Sequence, residues 1–161
     1  MLQKTGTGTA GTAGSPTEPA LDGDFERFVD RTVDAMLAQD PVRASWLGVG
    51  GPAGAAWPDP SVEASQSQIA GARDLLRACE AFVPARLHPL QRTDRALAVA
   101  RLSLLIDELE TRPRWRVMPQ AAVEEVLSGV TAHLFRECAP PEERWPALLG
   151  RLESVEGFLA A

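Results

Sequence analysis

The chain has 161 residues and a formal net charge of −6, which is enough for one domain and too short for two of ordinary size. A domain of this length buries roughly two-thirds of the surface its unfolded chain exposes, so a core can form without disulfide or metal staples. The acidic balance argues against a general binder of nucleic acid or anionic membrane.

Lys4 is the sole lysine among 16 basic residues. Ala, Gly and Pro are abundant as well, a bias of GC-rich coding that carries no functional information. Cys79 and Cys138 stand alone, without the paired spacing of zinc or redox motifs. Both read as small buried apolar residues in a reducing compartment. No apolar run approaches bilayer length. Thr5 to Gly14 is a Gly/Thr/Ala repeat rather than the apolar segment of a signal peptide. The expected location is cytoplasmic.

Residues 1–21 are low in complexity and read as a disordered tail, leaving 22–161 as one helical domain. Asp22 or Asp24 can cap the first helix. Phe25, Phe28, Val29, Thr32, Val33, Met36 and Leu37 then follow the i, i+3, i+4, i+7 pattern of one apolar face. In Asp40-Pro41-Val42-Arg43-Ala44-Ser45-Trp46-Leu47-Gly48, the aspartate suits an N-cap and the proline suits the first turn. Gly48 suits a left-handed stop. A short helix follows from these, with Trp46 and Leu47 available to pack.

The stretch from Val49 to Pro60 is rich in Gly and Pro and reads as a loop, with Trp57 anchoring it to the core. Ser61 caps the next helix, whose stripe is Ile69, Ala72, Leu76, Cys79 and Val83, broadened by Leu75 and Phe82 until Pro84 ends it. From Pro89 or Thr93 to Glu110 runs the strongest pattern. Leu90, Leu97, Ala100 and Leu104 form one line, and Leu102, Leu105 and Leu109 form a second. So wide an apolar surface predicts a central helix in contact on two sides. Arg101 falls within it and needs a carboxylate or carbonyl partner if buried.

After Thr111-Arg112-Pro113, Pro119 opens a helix with Val123, Val126, Leu127, Val130 and Leu134 at core spacing, fading near Glu137. Ala139-Pro140-Pro141 reads as a hinge. The last helix carries Leu148, Leu149, Leu152, Val155, Phe158 and Leu159, with Pro146 suited to its first turn. The fold class is all-α, an orthogonal or bundle-like array of four long helices plus one short helix. Phe158-Leu159-Ala160-Ala161 offers no glycine stop or polar tail, so the last helix is expected to continue in a longer protein.

Several constellations hint at chemistry. His133 and Glu137 stand one turn apart beside Cys138, but structural zinc uses four ligands and Arg136 adds repulsion, so a helix end is the better reading. His88 precedes Pro89 and reads as a surface or capping histidine. Arg112, Arg114 and Arg116 alternate around Trp115 as in single-strand binders. The run is short in an acidic chain, and pairing of the arginines with Asp107, Glu108 and Glu110 is favoured. Glu124-Glu125 near a helix start complements the helix dipole rather than forming an acid–base pair. Neither Ser nor Cys stands in a nucleophile elbow.

Four segments together resemble a known family. They are Asp40-Pro41-x-x-Ala44-Ser45-x-x-Gly48, Trp57-Pro58-Asp59, Leu87-x-Pro89-x-x-Arg92-x-Asp94-Arg95 and Arg151-Leu152-Glu153-x-Val155-x-x-Phe158-Leu159. In this order, with the first helix, they resemble the bacterial family named domain of unknown function 885. Its members are all-helical proteins similar to zinc metallopeptidases of the thermostable carboxypeptidase group. The resemblance spans about residues 24–161 and implies the N-terminal portion of a longer protein. It places the H-E-x-x-H zinc helix downstream, and His88 and His133 do not match that motif.

No catalytic, cofactor-binding or metal residue therefore carries over. No cofactor is expected in this chain, although the resemblance implies zinc in full-length relatives. The expected role is a non-catalytic helical region that packs against zinc-bearing helices and helps wall a substrate channel. The alternative is a free-standing interaction or oligomerisation module. The expected partner is accordingly a C-terminal catalytic portion or a second copy in a homo-oligomer, with no nucleic acid and no membrane.

Overall fold

The computed structural model describes residues 22–49, 55–113, 118, 120–135 and 140–160. The expected tail at 1–21 lies outside them, as do Arg114 to Arg116, Pro119 and Arg136 to Cys138.

The first helix, α1 (Gly23–Ala38), starts where the Asp22 carboxylate accepts the Asp24 and Phe25 N–H groups at 2.9 and 3.2 Å. Asp24 and Glu26 add negative charge at the positive end of the dipole. Its apolar face buries Phe25 and Phe28, and Thr32 joins that face by returning its hydroxyl to the Phe28 carbonyl at 2.8 Å.

The short α2 (Pro41–Leu47) is built as its sequence predicts. The Asp40 carboxylate accepts the Arg43 N–H at 2.9 Å, Pro41 occupies the first turn, and Gly48 stops the helix at φ 76°. Leu47 differs from expectation by being mostly exposed, while Trp46 reaches the Ser128 hydroxyl at 2.9 Å.

Ser61 caps α3 (Val62–Ala81) by accepting the Ala64 N–H at 3.1 Å. A 3-10 turn at Pro84–Arg86 leads to α4 (Pro89–Thr111). The pairing of Cys79 with Arg95 and of Arg73 with Glu110 makes α3 and α4 an antiparallel hairpin. Arg95 caps the outgoing end of α3, donating to the Phe82 and Glu80 carbonyls at 2.9 and 3.1 Å. Between this hairpin and α1 lies one core, centred on Phe25, Phe28, Cys79 and Leu87. The Phe82 ring meets Phe25 edge-on at 5.1 Å, the arrangement that the ring quadrupoles favour.

The chain closes with α5 (Ala121–Phe135) and α6 (Pro141–Ala160). They pack on each other, and α5 also packs on α2. Ala132 and Leu148 are buried there, with Val42 and Ala44 of α2.

The fold is all-α, as the periodicity predicted. The count of four long helices is one too low, because among the described residues α1, α3, α4, α5 and α6 each span 15 residues or more. Pro141, not Pro146, occupies the first turn of the last helix, and Pro146 lies inside it. The central placement of α4 also fails. Leu102 is buried, but Leu90 and Leu97 are each 68% exposed. Periodicity marks an apolar face without telling whether the same chain covers it. Here α3 and α1 cover one side of α4, and the Leu90 line faces outward.

Candidate functional site

Arg151 is the largest fully buried side chain among the described residues. It extends from α6 into the space between α2, α5 and the loop before Ser61. Its Nε donates to the Ala56 carbonyl at 3.3 Å, and Nη1 donates to the Gly129 carbonyl at 2.9 Å. Nη2 reaches both the Pro41 carbonyl and the Ser45 hydroxyl at 3.0 Å. Burial pushes the guanidinium pKa down to about 10, against the pull of the Glu125 and Asp40 charges. Hydrogen bonds to four oxygens are what let this cation remain inside.

Trp57 roofs the node. Arg151 sits 5.2 Å from the centre of its ring, and Phe158 stacks on it at 5.1 Å. The indole N–H reaches the Arg151 carbonyl at 3.3 Å and the Ser154 hydroxyl at 3.0 Å. Gly129 makes this approach feasible, since a Cβ there would stand 2.6 Å from a Trp57 ring carbon. The corner at Asp40–Gly48, the Trp57 loop and the Arg151–Phe158 segment therefore meet at one point.

Gln91 forms a second polar node, buried at the start of α4. Its side chain accepts the Asp22 N–H at 3.0 Å and the His88 N–H at 3.2 Å, and donates to the Asp22 carbonyl at 3.1 Å. This fastens the first turn of α1 to the first turn of α4. His88 is the N-cap there, with Nδ1 accepting the Leu90 N–H at 3.3 Å.

His133 is buried on α5, and its proposed companions Glu137 and Cys138 lie outside the described residues. Among the described residues no three His, Cys, Asp or Glu side chains come together. Glu110 pairs with Arg73 of α3, and Arg101 finds Glu108 at 3.9 Å. Glu124 lies in the first turn of α5, where its charge suits the dipole. Burial raises the Cys79 thiol pKa, keeping it in the unreactive protonated form. Among the described residues, two of the shallow depressions are lined mainly by apolar groups. One lies between α1 and α2 at Val33, Leu37, Pro41 and Val49, and the other is where α1, α3 and α4 meet at Met36, Leu75 and Leu105.

Both nodes are structural, and the surface differs from them in kind. Lines of large apolar residues stand exposed on three helices: Leu90, Leu97 and Leu104 on α4, Val123, Leu127 and Leu134 on α5, and Trp145, Leu149, Leu152 and Leu159 on α6. From Val126 to Phe135, α5 carries no Asp, Glu, Lys or Arg. A helix apolar on all sides is normally buried, yet Leu127 is 62% exposed and Phe135 is 75% exposed.

Sequence reasoning passed over Gln91 and Gly129, although each had a signal. Gln91 is third after the N-cap, where a capping box places its Glu or Gln. Gly129 interrupts a helical pattern, which suggests close approach by a neighbour. Comparison of the chain with family models, curated proteins and solved structures finds no match.

Proposed function

We propose that this chain is a non-catalytic helical region of a metallopeptidase-like protein, packing its late helices against zinc-bearing helices and helping to wall a substrate channel. One observation carries the packing role: the exposed apolar lines on α4, α5 and α6. Fully burying an exposed leucine is worth roughly 1.5–3 kcal/mol, and covering the exposed half or more of several of these residues supplies docking energy in proportion. Exposed apolar residues gathered in lines, rather than scattered singly, mark interaction sites. The metallopeptidase-like setting rests on the family resemblance of the segments at 40–48, 57–59, 87–95 and 151–159. Arg151, Trp57 and Gln91 then serve as internal fasteners that hold the docking helices at fixed angles.

A homo-oligomerisation module is the second reading. The seven-residue spacing of Leu90, Leu97 and Leu104 favours it, since helix pairs use that period for their seams. Sedimentation velocity combined with an apolar fluorescent dye tests the shared element. The docking reading expects dye enhancement and an ill-defined tendency to associate, whereas a sharp dimer or tetramer that leaves the dye dark supports the module. A monomer that leaves the dye dark contradicts both.

A further inference from the structure

The outer face of α6 carries a charge pattern that specifies its partner. Trp145, Leu149, Leu152, Glu156 and Leu159 follow alternating steps of four and three, so they lie along one side of the helix. Leu149 is 58% exposed, and the other three apolar members are nearly half exposed. One glutamate stands within this line and two others border it along one flank. Glu142 is one turn before Trp145, Glu153 one turn after Leu149, and Glu156 one turn after Leu152. None of the three forms an ion pair among the described residues. The helix has only two cations. Arg151 is buried in the node, and Arg144 lies 5.3 Å from the Trp145 ring centre.

We infer that this face receives an amphipathic helix whose apolar stripe is flanked by Lys or Arg. The inference rests on the docking reading above and gives the partner its chemistry. Apolar contact supplies affinity, and the glutamates in and beside the line supply orientation and select against acidic partners. A second copy of this chain docking by the same face would set glutamates against glutamates. The chain's net charge of −6 would add to that repulsion.

The test titrates the full chain into three labelled synthetic peptides and follows fluorescence anisotropy. One is a helix with leucines at heptad spacing flanked by lysines, the second has glutamates in place of the lysines, and the third is a scramble of the first. The lysine helix is expected to bind about tenfold or more tighter than either control, with affinity falling as salt rises. The Glu142→Lys, Glu153→Lys, Glu156→Lys triple variant is expected to reverse the preference toward the glutamate helix. A Leu149→Ser, Leu152→Ser variant should weaken binding by about tenfold or more, with circular dichroism unchanged because neither side chain belongs to the buried core.

Equal binding of all three peptides, absent binding of the lysine helix, or triple variants with unchanged preference overturns the inference. If the chain brightens the apolar dye yet ignores peptide charge, the docking reading stands and only the basic partner is lost. If it neither brightens the dye nor binds any peptide, both are lost.

Discussion

Arg151 concentrates more of the fold's specificity than any other described residue, because its guanidinium satisfies oxygens from α2, from α5 and from the loop that carries Trp57. Arg151→Met keeps much of the volume and removes every donor. Stability measured by urea unfolding should fall by about 3 kcal/mol or more, since the buried acceptors lose their partners. Arg151→Lys should recover only part of the loss, because an ammonium cannot reproduce the planar fork. Gly129→Ala strikes the same node by another route. The new Cβ meets the rigid Trp57 ring, and overpacking of this kind costs roughly 1–3 kcal/mol.

Cys79 gives the fold a pH signature at the same scale. Its thiol pKa is raised from 9.0, first by burial, so the folded state keeps a proton that the unfolded chain releases. Stability should therefore fall as pH rises above 9, and Cys79→Ala should remove that slope in denaturation curves taken at successive pH values. Arg151 acts oppositely at higher pH. Its pKa is lowered to about 10, so there the unfolded chain binds more protons and this contribution rises with pH.

At the scale of the helix, starts and stops were the most legible features. Asp40, Pro41, Gly48 and Ser61 each do what their local chemistry dictates, because capping depends on a few neighbouring backbone groups. The coverage of apolar faces was not legible. The leucines of α4 and the Val123 line of α5 have core spacing, but whether a face is covered depends on elements remote in sequence. Pro146 lies away from the expected first turn for a related reason: adjacent prolines at 140 and 141 compete for the helix start, and the first turn takes Pro141. Pro146 inside α6 has no N–H to offer the preceding turn. Pro146→Ala should accordingly raise the melting temperature, with a gain of about 1 kcal/mol or more, measured by thermal unfolding. A fall in stability would mean that the ring's packing outweighs the missing hydrogen bond.

Across the whole molecule, α1, α3 and α4 surround an aromatic core, while α2, α5 and α6 gather around a buried cation. The sequence announced the first through its phenylalanine and leucine spacing. It showed the second only as short segments whose meeting point, Arg151, no periodicity reveals, since a lone arginine among leucines reads as surface. Both units leave apolar lines facing outward, and the proposed role depends on those lines being docking surface. Sedimentation velocity with dye fluorescence, comparing the natural chain with a Leu97→Ser, Leu127→Ser, Leu149→Ser variant, tests this directly. The natural chain should brighten the dye and associate as concentration rises, and the variant should be a dark monomer with the same helix content and melting temperature. If the natural chain is itself a dark monomer, or the variant unfolds, the lines are not docking surface and the proposed role is wrong.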